Sequence, residues 1–387
     1  MAMLADRGEL ELLIVQASPF CNLDCSYCYL PDRADRRRMT MDVLERVMRG
    51  VFGGGLAGDE LSIVWHAGEP MAVPRDWYEG AFACVARHAG HIRVQHHFQT
   101  NAVLIDAPWC ALFRRHGVRV GVSVDGPAFL HDRHRRTRDG RGTHDKVMRG
   151  IAQLKAAGLP FHAICVLTRD ALPHADAIFE FFAALGVEQV GFNVEEAEAA
   201  HGTSSLAATA AVGELRAFWQ QMMRRLDAEP GRLRVREVEA VLAALRHPRF
   251  GHEGGNAQNQ PGRMLNVAWD GSYCHWSPEL LGARHPRLGP LALGNLAQDA
   301  ENPARAPRLA VFQQEIDRGV ARCRRECAYF DFCLGGAPSN KLAEHGSFAA
   351  SETLACRLGQ KVLIDAVLAS LDRRLPARVA APATQAA

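Results

Sequence analysis

The 387-residue sequence predicts an α/β chain: an open, partial (β/α)6 barrel of the TIM type followed by a cysteine-rich C-terminal module. Between Leu10 and about Asn193, short apolar runs alternate with polar turns and helix-length segments. Beyond a polar, glycine-rich stretch at Gly251–Gly262 that alternation stops, and four of the remaining five cysteines gather between Cys323 and Cys356. Regular βα alternation means a parallel sheet, because each parallel crossover needs a connection of helix length.

The predicted strands are, in order, Leu12–Ala17, Leu61–Trp65, Val94–Gln99, Val118–Val124, Phe161–Leu167 and Gln189–Phe192. Helical segments at Met41–Phe52, Trp77–His88, Pro108–His116, His144–Ala157 and Pro173–Leu185 lie between them. Two more, Gly213–Leu226 and Val235–Leu245, follow the last unit. The expected organisation is a barrel at 10–230, a helical bridge and loop at 231–262, the C-terminal module at 263–372 and a tail at 373–387. That tail is rich in alanine and proline, lacks a periodic apolar pattern and reads as disordered.

With 48 % apolar residues the chain can bury a large core. Its net charge is +2, and its positive residues form short clusters, Arg36–Arg38 and His131–Arg138, so charge points away from nucleic acid. No apolar run approaches the roughly 20 residues of a membrane span. Met1–Glu9 lack a signal peptide's apolar segment, so a cytoplasmic location is expected. In a reducing compartment the eleven cysteines favour metal or catalytic roles over disulfides. Cys84, Cys110 and Cys165, isolated within predicted elements, read as small buried apolar residues. The pair His96-His97 reads as a surface feature.

Functional groups of α/β barrels collect at the C-terminal ends of the strands. After the first strand come Cys21, Cys25 and Cys28 in a CxxxCxxC spacing. Closed zinc sites and ordinary iron–sulfur clusters use four protein ligands, so three leave one metal position open. The second strand runs into His66-Ala67-Gly68-Glu69-Pro70, the third ends at Gln99-Thr100-Asn101, and the fourth ends at Ser123-Val124-Asp125-Gly126-Pro127 with Arg135 beyond.

Taken together, these strings resemble the radical S-adenosylmethionine (SAM) enzymes that carry a C-terminal SPASM domain, from about Leu12 to Cys356. The resemblance implies that Cys21, Cys25 and Cys28 hold three irons of a [4Fe–4S] cluster whose fourth iron takes the amino and carboxylate groups of SAM. Reduction would cleave the sulfonium bond and yield a 5′-deoxyadenosyl radical. It also implies Tyr27 near the adenine, Gly68 and Glu69 at the ammonium, and Gln99 and Ser123 near the ribose and carboxylate. Arg135 would pair with that carboxylate through its planar fork. A low-potential electron donor of flavodoxin or ferredoxin type is implied as partner. Residue chemistry alone leaves other roles open: Glu69 as a helix cap, Arg135 as a solvated side chain, Asp125 as a turn stabiliser.

Full SPASM domains carry a longer string of cysteines for two auxiliary clusters. Here Cys323, Cys327, Cys333 and Cys356 align with one of these, implying one auxiliary [4Fe–4S] cluster with a closed thiolate set. Trp276 and Ala337 stand where cysteines of the other are expected, and Cys274 reads as unpaired. Zinc on the same four cysteines is the alternative, with irregular spacing against it.

SPASM enzymes act mostly on proteins and ribosomally made peptides. The strings Val-Trp-His-Ala-Gly-Glu-Pro, Gly-Phe-Asn-Val-Glu-Glu and Trp-Ser-Pro-Glu-Leu-Leu-Gly resemble the GRRM/FxsB/XyeB-type maturases. Relatives there join an aromatic ring to the β-carbon of a residue two positions later, a three-residue cyclophane, in a ribosomal precursor peptide. Glu279 or His275 would accept the ring proton, although Glu279 could equally cap a turn. The runner-up is an anaerobic sulfatase-maturating enzyme, which makes formylglycine; Trp276-Ser277 stands where that family carries a cluster cysteine and a basic aspartate. A non-enzymatic iron–sulfur or zinc scaffold is the alternative of another class. Nine residues before Leu10 are too few for a leader-binding domain, so the precursor is expected to bind the barrel or the module, or to arrive on a partner.

Overall fold

The structure, a computed structural model, describes residues 10–246, 255–298 and 302–374. Strands β1 (Leu10–Val15), β2 (Ala57–Trp65), β3 (Arg93–Thr100), β4 (Arg119–Ser123), β5 (Phe161–Leu167) and β6 (Val190–Val194) lie side by side in chain order, all parallel. Between them run α1 (Met41–Gly53), α2 (Arg75–Ala89), α3 (Ala107–Arg115), α4 (Ala128–His134), α5 (His144–Ala156) and α6 (Ala175–Leu185). This is the expected partial barrel. The apolar pattern missed only α4, a 7-residue helix that buries just Leu130 and His131.

Strand alternation separates the two faces of the sheet. Trp65, His96 and Phe98 turn outward into a cluster with Tyr78, Phe82, Trp109 and Phe113 from α2 and α3. Burying each such ring contributes about 2–3 kcal/mol, so this cluster anchors the strand ends that carry the site. His96 belongs to this core: it is 8 % exposed, and Trp65 Nε1 donates to its Nδ1 at 3.4 Å. The expected surface role is thus wrong for His96, because the period of two sends His97 to the opposite, inner face. Cys84, Cys110 and Cys165 are buried, as expected.

The sheet does not stop at the barrel. Strand β7 (Met264–Val267) pairs parallel with β1, β8 (Ser272–His275) pairs antiparallel with β7, and Gly294–Asn295 adds a ninth strand. The expected boundary at 262 and 263 therefore falls inside one sheet. The segment expected to bridge the domains is equally embedded: Val235 pairs with Val190, and the helix Val362–Arg374 packs on α7 (Ala211–Ala228) and α8 (Arg236–Arg246). That terminal helix takes in 373 and 374, the start of the expected tail. The rest of the tail, Met1–Glu9 and Gly251–Gly254 lie outside the described residues. Among the described residues no helix is long and apolar enough to cross a membrane.

Candidate active site

Beyond β1 the chain enters an irregular loop that carries Cys21, Cys25 and Cys28. Polar contacts hold this loop in place of regular structure. Cys21 N–H donates to the Arg33 carbonyl at 3.0 Å, Arg33 Nη1 to the Cys25 carbonyl at 2.8 Å, and Arg138 Nη2 to the Cys21 carbonyl at 2.9 Å. The Cys21 sulfur accepts from Leu23 N–H at 3.5 Å and faces Asn101 Nδ2 at 3.8 Å. Burial, reinforced by Glu69, pushes the Cys21 thiol up to about 12. Burial pushes Cys25 up to about 11 against the opposing pull of Arg135, and the charge of Cys28 raises both. Metal ligation would supply the positive charge that ionises neighbouring buried thiols of this kind.

The end of β2 closes on this loop. Ala67 and Gly68 have φ of 65° and 80°. A Cβ on Gly68 would lie 2.5 Å from the Ser18 carbonyl oxygen and 2.8 Å from that of Phe20, so only glycine permits the contact. Glu69 follows, 1 % exposed. Its Oε1 accepts from Met71 N–H at 3.0 Å and the Thr100 hydroxyl at 2.6 Å, and its Oε2 accepts from Asn101 N–H at 2.8 Å. The carboxylate therefore caps the turn Pro70–Ala72 and staples β2 to β3. Burial pushes it up to about 7, its hydrogen bonds acting the other way. Oε2 retains a lone pair for a further donor.

On the inner face Gln99 Nε2 donates to Ser123 Oγ at 2.9 Å. Gly121 makes room for this pair: a Cβ there would stand 2.3 Å from Gln99 Oε1 and 2.5 Å from His162 Nε2. Arg135 is not a solvated side chain, being 7 % exposed. Its Nε donates to Asp125 Oδ2 at 2.9 Å, the Tyr27 hydroxyl donates to the same oxygen, and the guanidinium sits 5.4 Å from the Tyr27 ring centroid. Burial opposes ionisation of Asp125, but Arg135, His131 and the hydrogen bonds outweigh it and hold the carboxyl below its usual range. This triad fixes Tyr27 against the cysteine loop.

The two candidate bases separate. His275 points away: it is 1 % exposed, with Nδ1 3.1 Å from the Met264 carbonyl and Nε2 3.2 Å from that of Pro303, and burial lowers its pKa. Its expected role as proton acceptor does not hold, because β8 alternation sends His275 and Cys274 to opposite faces. Glu279 is half-buried, accepts from the Ser277 hydroxyl and is pushed up by burial to about 7. Its charge reaches both Tyr29, next to Cys28, and Cys274.

In the module, Cys323 lies in the last turn of the helix Leu309–Glu326, and Cys327 N–H closes that turn on the Cys323 carbonyl at 2.9 Å. A spacing of four at a helix end places both thiols on one side. Cys333 ends the short helix Phe330–Cys333, and Thr353 Oγ1 caps Cys356 N–H at 2.9 Å. Cys356, Cys323 and Cys327 lie near enough to Cys333 for their charges to raise its thiol after burial does. Where further cysteines were expected, Trp276 (φ 72°) is fully buried with Phe312 and Phe348. Its Nε1 donates to Gln313 Oε1 at 3.0 Å, while Asn259 Nδ2 holds the Leu334 carbonyl at 2.9 Å.

Sequence reasoning missed several groups. His66, quoted only as part of a string, has a buried Nδ1 without a partner. Lys341, 4 % exposed, donates to Cys323 Sγ at 3.4 Å. Glu196 and Glu198 come close to Glu279. A buried lysine next to cysteines carries no periodic signal, but the run Glu195-Glu196-Ala197-Glu198 just beyond β6 could have been flagged by its strand-end position.

The model of the radical SAM superfamily matches residues 15–182. An uncharacterised protein of Synechocystis sp., sll1766, is 36 % identical over 379 residues, 96 % of this chain and 94 % of its own length. The serine-type anaerobic sulfatase-maturating enzyme of Klebsiella aerogenes is 30 % identical over 337 residues, 85 % of this chain and 80 % of that one. Among solved structures, native anSMEcpe with bound AdoMet and Cp18Cys peptide superposes with a TM-score of 0.77 at 21 % identity, covering 95 % of this chain and 99 % of that one. Streptococcus suis SuiB bound to precursor peptide SuiA gives 0.63 at 13 % identity, covering 90 % and 76 %.

Proposed function

The chain belongs to the radical SAM superfamily, and from that premise we propose that it matures a ribosomal precursor peptide by joining an aromatic ring to the β-carbon of a nearby residue. It is a radical SAM enzyme close to the sulfatase maturases, whose family uses a [4Fe–4S] cluster with SAM. The donor set fits that cofactor: three coupled thiols without a fourth protein ligand, beside a buried carboxylate, Glu69, that lacks a cation. When bound, the cofactors supply a hydrogen-atom abstractor at the cysteine loop and an electron acceptor at the module.

In this reading the chain's own residues position and deprotonate. Gly68 and Glu69 receive the SAM ammonium, Gln99 and Ser123 line the ribose side, and Tyr27 is held for the adenine by Asp125 and Arg135. Cys323, Cys327, Cys333 and Cys356 hold the single auxiliary cluster. Each crosslink removes two hydrogens: one leaves the β-carbon as an atom, the other leaves the ring as a proton with one electron passing to the acceptor. Glu279 takes that proton. The observation that carries the reading is its carboxylate, poised near 7 beside Tyr29, where the base of sulfatase maturation is replaced by Ser277 and the cluster cysteine by Trp276.

A second reading, formylglycine formation, is favoured by the relationship to the Klebsiella enzyme. Co-expression with a short open reading frame bearing a repeated aromatic motif, sought beside this gene, decides between them. A product lighter by two hydrogens per motif, with a ring-to-Cβ bond by NMR, is expected. Formylglycine on a sulfatase peptide, or no 5′-deoxyadenosine from reconstituted enzyme with dithionite and SAM, overturns the crosslinking reading.

A further inference from the structure

Three carboxylates meet between the barrel and the module. Glu196 and Glu198 leave the end of β6, and Glu279 follows β8. Asn340 Nδ2, from the module helix Pro338–His345, donates to Glu196 Oε2 and to Glu198 Oε1, both at 2.8 Å. Burial pushes up all three carboxyls, Glu198 to about 9 with Glu196 and Glu279 adding to it. Among the described residues the charged groups acting most strongly on them are one another and Glu344, and none pairs with lysine, arginine or histidine.

A separate observation points to a ligand. The hydroxyl of Tyr29 is buried without a hydrogen-bond partner, and the charges acting on it are those of Glu279, Cys28, Glu198 and Cys274. A phenol among acceptors normally donates to one of them, and leaving it unpaired costs about 1–3 kcal/mol. Tyr29 is also tied to the acidic segment, since Ala200 N–H donates to its carbonyl at 3.0 Å. Glu196, Glu279 and Tyr29 are only half-buried as whole residues, so the group opens on one side.

We infer that Glu196, Glu198 and Tyr29 form a recognition pocket for a cationic side chain of the substrate peptide, arginine or lysine, next to the residue that reacts. This rests on the peptide-maturase reading and adds a substrate class to it. A guanidinium suits the pocket best: five N–H donors in a plane satisfy the two carboxylates and the phenol oxygen, and its positive charge lets the carboxyls ionise together. Glu279, outside this donor set, stays available as proton acceptor. The pocket needs both halves of the molecule, because Asn340 from the module aligns two glutamates of the barrel.

The probes are dye-labelled acetyl-Phe-Ser-Arg-amide and its citrulline counterpart, which keeps the shape and loses the charge. Fluorescence anisotropy with anaerobically reconstituted enzyme and SAM reads binding without turnover. The arginine peptide is expected to bind at least about tenfold more tightly, and E196Q/E198Q to bring the two within about twofold. Tyr29→Phe, which removes only the hydroxyl, is expected to cut the preference by about threefold. Equal binding, no binding of either peptide, or a preference unchanged in E196Q/E198Q overturns the pocket. A preserved arginine preference in an enzyme whose product is formylglycine overturns the crosslinking reading and leaves the pocket standing.

Discussion

The two cysteine sets differ in the number of their sulfurs and in the charged groups beside them. Beside Cys21 lies the buried carboxylate of Glu69, which makes the thiol harder to ionise. Beside Cys323 lies the buried side chain of Lys341, and Lys361, raised first by its hydrogen bond to Glu352 against burial, also feels Cys327 and Cys356. The first set has three sulfurs, with a carboxylate beside Cys21 and the guanidinium of Arg135 acting on Cys25; the second has four, with an amine beside Cys323. In the proposed reading the first site is completed by a ligand that carries a positive group, as SAM does. A site of the second kind is closed and suited to accept an electron, because nearby cations stabilise the reduced cluster.

The sharpest way to break this comparison is to remove one sulfur from each set. Cys25→Ser is expected to abolish 5′-deoxyadenosine formation and to lower iron content by about four per chain. Cys327→Ser is expected to lose similar iron yet still cleave SAM, releasing 5′-deoxyadenosine without a modified peptide. Chromatography of both products with iron analysis reads the outcome, and SAM cleavage lost in both variants would erase the division of labour.

A smaller effect is expected from Glu69→Gln, which keeps the shape of the staple and removes its charge. SAM binding by equilibrium dialysis should weaken by about ten- to a hundredfold, and the auxiliary cluster's spectrum should not change. Lys341→Met probes the other side. Withdrawing the ammonium should lower the auxiliary potential by some tens of millivolts, read by spectroelectrochemistry, while SAM binding holds.

The smallest difference is one of pH. Glu69 has a folded-state pKa of about 7 against an ordinary 4.5, so the folded chain holds this proton more tightly than the unfolded one. Stability of the cofactor-free protein contributed by this group is full below about 4.5, falls as pH rises through the interval and levels off above about 7. Thermal melts across that range should show the decline, and Glu69→Gln should flatten it.

The barrel was legible because strand and helix periods are local. The six apolar runs landed on β1–β6, and the interposed helices were found wherever an apolar face recurred. The short α4 escaped, burying too little to leave a pattern. His96 was misplaced because an adjacent histidine pair looks like surface until alternation puts one ring under Phe82. The outcome for Arg135 turned on Asp125, ten residues away, choosing it as partner, and that for His275 on carbonyls of Met264 and Pro303 that no spacing reveals.

By itself the sequence determined which residues stand beyond the strand ends and how the cysteines are spaced, because spacing and alternation are written in consecutive residues. Tertiary structure alone decided the charge around those atoms. Glu69 reached Thr100, Lys341 reached Cys323, and Asn340 gathered Glu196 and Glu198 only once β7 had joined the module to the barrel sheet. The physical reason is that burial and the pairing of charges depend on neighbours brought from far along the chain, and these set whether a sulfur or carboxylate needs a cation from outside.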